Sequence, residues 1–259
     1  MKEFRIWLFY TNNTFQMMLA NRMTTSVLLV GKIIRVALFL VFLGFLLKGV
    51  NSIAGYSREQ IIFFYLSFNL IDTLAQLFFR EVYHFRPLII SGGLDFVLLK
   101  PFNALLRVLV GGADLLDLIM LVILSLLTIF FVINNIQVNV VNVLLYFLLL
   151  INGLIIASAF HIFVLGIGVM TTSVDHLISI YRDMTSMMRI PVDLYVEPIR
   201  SFLTFVVPLG IMITFPAKAF LGYWDLKLIV LSLILGATSL FFAINFWNYA
   251  IKKYSSASS

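Results

Sequence analysis

The chain has 259 residues, of which 62% are hydrophobic and only 12% are charged, and its formal net charge is +6. Soluble domains carry about 25% charged residues, so we exclude a soluble protein and predict one polytopic membrane domain over residues 1–259. The chain lacks cysteine, which excludes disulfides and thiolate metal sites. In such a protein a positive net charge indicates basic cytoplasmic loops rather than nucleic-acid binding.

Residues 1–25 carry aromatic and apolar side chains, among them Phe4, Trp7 and Phe15, spaced between polar ones. Aromatic residues suit the headgroup zone, so the pattern predicts an interfacial N-terminal helix along the inner leaflet. A plain membrane anchor explains the pattern equally well. No small-residue cleavage site follows a short apolar core, so we expect no removable signal peptide.

Six segments are long and apolar enough to cross a bilayer as helices, which predicts an all-α fold. They are residues 26–47, 61–79, 112–132, 141–170, 202–221 and 228–251, and the uncharged turn at 133–142 separates the third from the fourth. With the N-terminus inside, Lys and Arg favour the inner side by twelve to four, which predicts that both termini are cytoplasmic. The inner set is Lys2, Arg5, Arg22, Arg80, Arg86, Lys100, Arg107, Arg182, Arg189, Arg200, Lys252 and Lys253; the outer set is Lys48, Arg58, Lys218 and Lys227.

The second span carries one polar stripe, formed by Asn69, Asp72, Thr73, Gln76 and Arg80. This spacing places them on one helix face, which we expect to face protein or water. Arg35 in the first span lies at about the depth of Asp72, so we hypothesise an intramembrane ion pair between them. The alternative for Arg35 is that it snorkels to the inner headgroups, and we expect that behaviour for Lys32. His161 in the fourth span is expected to be a hydrogen-bonded packing residue.

Residues 80–110 form a long cytoplasmic loop that contains the sequence FRPLIISGGLDFVLLKP at 85–101. Arg86 precedes a proline, which favours an extended or turn conformation, and Gly92-Gly93 permits a sharp reversal. The residues that follow predict a helical stub that Pro101 ends and that is too short to span. From the residues alone, an interfacial loop and a docking helix remain equally open.

Residues 171–200 are predicted to form a second cytoplasmic segment, an amphipathic connector whose helix lies in the interface and stops before Pro191. The connector either lies passively on the surface or acts as a lever between the spans it joins. Residues 252–259 are predicted to be a polar tail.

The stretch SGGLDFVLLKPFN, residues 91–103, resembles the Gly-x-Leu-Asp-x-x-Leu-x-Lys-Pro signature of a permease group in the type-two ABC transporter family. The stretch MMRIPVDLYVEPIRSFLTFVVPLGIMITFPAKAFLG, residues 187–222, resembles the same group's proline-rich pattern. The resemblance implies a cytoplasmic coupling helix after the second span that contacts an ATP-binding subunit. It also implies that the residues relaying this contact are Arg86, Gly92, Gly93, Leu94, Asp95, Leu98, Lys100 and Pro101.

No phosphate-loop motif occurs in the chain, so we expect it not to be an enzyme and to hold no cofactor, with ATP and Mg²⁺ bound by a partner subunit. A second permease copy or a sister permease is expected as a further partner, together with membrane lipids. The expected function is export across a prokaryotic inner membrane. A secondary transporter and an intramembrane enzyme are the alternatives, but convincing repeats and catalytic motifs are lacking. The apolar interior suits a lipid, an amphiphilic peptide or a hydrophobic drug equally.

Overall fold

A computed structural model describes residues 2–49 and 52–255, and within them every regular element is helical. Five long helical segments are apolar enough to cross a membrane: Arg22–Leu46, Arg58–Ile90, Leu115–Asn135, Val140–Thr171 and Leu226–Lys252. The prediction of an all-α polytopic membrane protein is therefore confirmed. In chain order the helices are α1 (Lys2–Ala20), α2 (Arg22–Leu46), α3 (Arg58–Phe79), α4 (Phe85–Ile90), α5 (Gly93–Leu99), α6 (Ala104–Val110), α7 (Leu115–Asn135), α8 (Val140–Thr171), α9 (Val174–Met187), α10 (Ile199–Ser201), α11 (Phe215–Phe220) and α12 (Leu226–Lys252).

Polar side chains fix where the long helices begin, because they satisfy backbone amides that the first turn leaves without partners. Ser57 and Gln60 form a reciprocal capping box at the start of α3. Asp114 accepts hydrogen bonds from two backbone amides of α7, and Asn139 and Asp225 cap α8 and α12. The α3 helix lies at the centre of the bundle and buries residues on all of its faces, as expected for a helix that is apolar nearly all round.

The bundle has two ends that the contacts distinguish. The proximal end carries α4, α5 and α6, and there Phe85 of α4 packs against Trp247 near the end of α12, with ring centroids 6.2 Å apart. The distal end carries the connections that follow α2, α7 and α11, where Trp224 donates a hydrogen bond to Asn142 at 3.1 Å. The loop at 80–110 therefore lies entirely at one end of the molecule.

The structure corrects the prediction that residues 171–200 form a connector on one side. Asp175, in the first turn of α9, binds Arg86 at the proximal end at 2.8 Å. Asp193 accepts a hydrogen bond from Tyr56 at 2.8 Å and binds Lys218 at 3.0 Å, both at the distal end. The chain between Asp175 and Asp193 consequently runs through the full height of the bundle and supplies its fifth crossing.

The prediction that residues 202–221 form the fifth span is also wrong, because the chain between Asp175 and Asp193 already supplies the fifth crossing. The segment 202–221 is broken between Val206 and Gly210, and its two arms are bent by 78°. The backbone amide of Val192 donates to Thr214 at 3.2 Å, and a β-carbon on Gly210 would lie 3.3 Å from Val192. Both arms thus stay near the distal residues around Asp193, so the pair forms a re-entrant loop rather than a crossing.

The α1 helix packs across the proximal end, where Arg107 of α6 stacks 3.8 Å from the ring centroid of Tyr10. Several apolar side chains of α1 remain exposed, among them Phe4, Phe9 and Met17. Its place in the headgroup zone stays a prediction. Of the predicted polar tail at 252–259, Lys252 ends α12, and residues 256–259 lie outside the described part of the chain.

Candidate functional site

The segment at 80–101 folds as two short helices that meet at a sharp turn. A 3₁₀ stretch, Arg80–His84, continues α3 into α4. Arg86 is helical, contrary to the extended conformation predicted for it, because Pro87 falls in the first turn of α4, where its missing amide breaks no helical hydrogen bond. Gly92 then adopts the left-handed region with φ +72°, which reverses the chain into α5.

One face of the α5 helix packs against the bundle, and the opposite face is exposed. Leu94 is fully buried and Val97 is nearly so. On the opposite side Phe96 is 69% exposed and Leu99 is 81% exposed, and the neighbouring Ile90 of α4 is also exposed. These three side chains form an apolar patch, called here the α5 patch, at the proximal tip of the molecule.

The structure separates the predicted relay residues into different roles. Leu94 and the half-buried Leu98 point inward, so they anchor α5 to the bundle and are not exposed for contact with another protein. Gly93 lies at a close approach, because a β-carbon there would lie 2.9 Å from Leu88. Phe96 and Leu99 are absent from the relay residues that the resemblance implies, although their three-residue spacing is a helical signal for a shared face.

The polar members of the relay lie at the edges of α5. Asp95 lies beside Tyr254 after the end of α12, and burial followed by this carboxylate raises the pKa of the Tyr254 hydroxyl. Lys100 is exposed, with its ammonium 6.0 Å from the centroid of the Phe102 ring. Its extended backbone ends α5, as expected for a residue that precedes Pro101.

Ion pairs connect this segment to the rest of the bundle. Arg86 of α4 binds Asp175 at the start of α9 at 2.8 Å, so the two-helix segment and the fifth crossing are joined directly. Arg107 of α6 binds Glu81 at 2.6 Å and holds the 3₁₀ stretch against α6. A displacement of α5 and α4 would therefore reach both α3 and α9.

A cavity of about 230 Å³ lies inside the bundle between α2, α3, α7 and α9. All five members of the predicted polar stripe on α3 face it, and so does Arg35 of α2. Other lining residues come from α2, α3, the 3₁₀ stretch after α3, α7, α9 and the turn after α9. The charged residues that line it are Lys32, Arg35, Asp72, Arg80, Asp117, Arg182 and Arg189.

The salt bridges at the proximal end of this cavity differ from the one we hypothesised. Asp117 is buried and binds both Lys32 and Arg80, the latter at 2.9 Å. Arg80 also binds Asp114, at 3.1 Å. The prediction that Lys32 snorkels to the headgroups is therefore wrong, because a buried carboxylate on α7 provides a partner inside the bundle.

Among the described residues no salt bridge joins Arg35 to Asp72, although Arg35 acts on that carboxylate electrostatically across the cavity. Asn69 donates to the backbone carbonyl of Tyr65 at 2.7 Å. Gln76 donates to the Tyr83 hydroxyl at 3.1 Å. The amides thus make local hydrogen bonds, while the charged groups of the cavity remain turned toward its interior.

The fourth crossing supplies packing rather than chemistry. His161 forms a 2.8 Å hydrogen bond between Nδ1 and the carbonyl of Ala157 and stacks near Phe79, with ring centroids 5.3 Å apart. Gly153 lies so close to the re-entrant loop that a β-carbon would approach the Met212 carbonyl to 2.5 Å. These contacts fix α8 against α3 and the loop.

Comparison with known proteins gave one match. A family model described as "ABC-2 family transporter protein" matches residues 33–258. No curated protein and no solved structure matches the chain. The matched range includes α4, α5 and the cavity-lining residues of α3, α7 and α9, and it begins within α2, after Lys32.

Proposed function

The chain belongs to the ABC-2 family of transporter proteins, and from this premise we propose that it is the permease subunit of an exporter powered by ATP hydrolysis on a separate subunit. The chain carries no phosphate-loop motif, so ATP and Mg²⁺ are assigned to that partner. Two permease subunits, identical or sister chains, enclose the path.

The α5 patch is the observation that carries this proposal. Exposed Ile90, Phe96 and Leu99 stand on a helix whose other face is anchored by Leu94. A compact apolar patch on a rigid short helix is suited to a hydrophobic groove on another protein, because docking it requires little ordering. We assign this groove to the ATP-binding subunit.

The contacts above supply a route by which movement of that subunit reaches the membrane. Motion of α5 is passed to α4, then through Arg86 and Asp175 to α9, which forms one wall of the cavity. The 3₁₀ stretch passes the same motion to α3, which forms another wall. Rocking of α3 and α9 against α2 would open and close the cavity.

The charge distribution favours a cytoplasmic proximal end. When the five Lys and Arg residues that line the cavity are left out, and Arg200 is placed beyond Asp193 toward the distal end, the remaining Lys and Arg still favour the proximal side by eight to five. Basic residues are enriched on the cytoplasmic side of membrane proteins. Both termini and the α5 patch are therefore assigned to the cytoplasm.

Co-purification tests the proposal. The full chain, isolated from its host in mild detergent, is expected to carry a phosphate-loop ATPase and to hydrolyse ATP in its company. Phe96→Ser is expected to lower the amount of bound ATPase at least tenfold, whereas Val138→Ser, which changes another exposed apolar residue, at the distal end, leaves it unchanged. Equal ATPase recovery with Phe96→Ser and the parent would contradict the docking assignment.

A further inference from the structure

The cavity holds more positive than negative charge. Lys32, Arg35, Arg80, Arg182 and Arg189 line it, against the carboxylates of Asp72 and Asp117, with Asp114 just behind. Lys32 and Arg80 are neutralised by the aspartates of α7. Within residues 2–49 and 52–255, no salt bridge to a carboxylate is formed by Arg35, Arg182 or Arg189.

These three residues lie at different heights along the cavity; Arg35 and Arg182 are exposed, and Arg189 is half-buried. Arg182 lies on α9 and Arg189 lies in the turn that follows α9, and both side chains line the cavity. Arg35 lies on the opposite wall. The positively charged side chains thus extend along the cavity from the proximal salt bridges to Arg189, which lies 5.5 Å from the ring centroid of Phe39.

Charged groups at membrane depth require a partner, because the surrounding hydrocarbon cannot solvate them. Asp72 is the one lining carboxylate outside the α7 salt bridges, and it faces both Arg35 and Arg182. A single carboxylate offsets one of three positive charges. The remaining charge is suited to an anion that enters the cavity.

Apolar side chains line part of the cavity, among its polar and charged residues. Phe39, Phe68, Met120 and Leu124 line the same space. The α2 helix, which forms one wall, buries only Val36 and Leu43 and leaves most of its surface exposed. At about 230 Å³ the cavity is smaller than ordinary pockets for whole ligands, which measure about 300–1,000 Å³. It therefore fits an ionised head group whose apolar part extends along α2.

We propose that the cavity is an anion-binding site, and that it takes the oxyanion group of the transported substrate, a phosphate, sulfate or carboxylate. Arg35, Arg182 and Arg189 bind the oxyanion, since guanidinium groups match its geometry with paired hydrogen bonds. The binding site stands on the cavity alone. Its assignment to the transported substrate rests on the proposed function.

The absence of native cysteine allows a direct test with one introduced thiol. Ser186→Cys places it on the cavity wall, and Ser91→Cys places a reference thiol in the exposed turn between α4 and α5. Each full-length protein, purified in a non-ionic detergent, is treated with an anionic sulfonatoethyl and a cationic trimethylammonioethyl methanethiosulfonate. The ratio of the two labelling rates reports the local potential, and comparison with Ser91→Cys removes the intrinsic reactivity of the reagents.

We expect the ratio of anionic to cationic labelling at Ser186→Cys to exceed that at Ser91→Cys by about tenfold or more. Arg182→Gln or Arg189→Gln, added to Ser186→Cys, lowers this preference about threefold or more. Arg182→Lys retains it, and so does Arg200→Gln, which removes one positive charge outside the cavity. Equal ratios at the two thiols, or equal effects of Arg182→Gln and Arg200→Gln, would overturn the proposal.

Protection of the Ser186→Cys thiol distinguishes the sources of the anion. Dodecyl phosphate, dodecylphosphocholine and inorganic phosphate are compared as protecting agents. Protection by dodecyl phosphate alone identifies the head group of an anionic amphiphile, and equal protection by inorganic phosphate identifies a free oxyanion. Failure of both anions to slow labelling contradicts the site. Neither assay involves ATP or a partner, so this failure would leave the proposed permease function standing.

Discussion

Replacing Asp117 by Asn removes the negative charge that holds three helices together at the proximal end of the cavity. Its carboxylate binds Lys32 of α2 and Arg80 at the end of α3, and only 4% of its side chain is exposed. The amide of Asn has nearly the same size, so the substitution leaves packing intact and isolates the loss of charge. Asp114 keeps its bond to Arg80, whereas Lys32 loses its one salt bridge among the described residues.

The expected magnitude follows from the geometry. A pair of unit charges 2.9 Å apart attracts by about 6 kcal/mol at an effective dielectric constant of 20. Desolvation offsets part of this attraction, and the two cations are 23% and 34% exposed, which weakens it further. Breaking a buried pair at one partner costs about 3–5 kcal/mol, so we expect a loss at the lower limit, about 3 kcal/mol.

Thermal unfolding in detergent measures this loss. For a chain of this length, about 3 kcal/mol lowers Tm by about 6–12 °C. Asp175→Asn is the matched control, because its salt bridge to Arg86 is half exposed on both sides and exposed pairs contribute about 0–1 kcal/mol. If Asp117→Asn melts within 2 °C of the parent, or if Asp175→Asn is equally destabilised, the assignment of Asp117 as the central electrostatic contact is refuted.

Three further predictions concern backbone, packing and pH. Gly92→Ala is expected to destabilise the α4–α5 turn by about 1–2 kcal/mol and to weaken ATPase co-purification, because φ is +72° there; unchanged co-purification would argue against it. Gly153→Val is expected to displace Met212 and lower Tm by more than Gly31→Val, whose site is open, and equal shifts would contradict the close approach. Burial, followed by the hydrogen bond to Asp193, raises the pKa of the Tyr56 hydroxyl. The protonated hydroxyl therefore contributes fully to the stability of the folded protein below the ordinary tyrosine pKa, and this contribution is lost in alkaline solution. Tyr56→Phe should abolish that alkaline loss when Tm is measured against pH.

The residues that flank α5 made its boundaries predictable from the sequence. Gly92 supplies the left-handed turn, and Pro101 keeps Lys100 extended, so both boundaries of the helix follow from single residues. The polar stripe on α3 was equally predictable, because the spacing of its residues places them on one helix face whatever that face contacts. Which side of α5 is buried depended on the neighbouring helices, and the sequence does not contain that information locally.

The path of the fifth crossing through the bundle could not be predicted from the sequence. A helix that lines a charged cavity has the same amphipathic pattern as one that lies in the membrane interface, so Arg182 and Arg189 indicated a surface helix. The re-entrant loop had a signal that was overlooked. Pro208 lies at the break between its arms, where a missing amide donor favours interruption of a helix.

The hypothesised pairing of Arg35 with Asp72 rested on depth alone. Depth along two helices does not fix the distance between their side chains, and the cavity separates these two groups. The pairing of Lys32 with Asp117 depends on how α7 approaches α2, a tertiary contact 85 residues apart in the sequence. Tertiary packing therefore decided which of the intramembrane charges are paired.

Docking of a cytoplasmic ATP-binding subunit on α5 is tested by the side of the membrane on which α5 lies and by whether that subunit covers it. Leu99→Cys gives the chain a single thiol on the α5 patch, and Val138→Cys gives one at the distal end. We predict that a membrane-impermeant maleimide labels Val138→Cys in intact cells. It labels Leu99→Cys only after permeabilisation, and more slowly while the ATP-binding subunit is bound. Labelling of Leu99→Cys in intact cells would contradict the assignment of α5 to the cytoplasmic side.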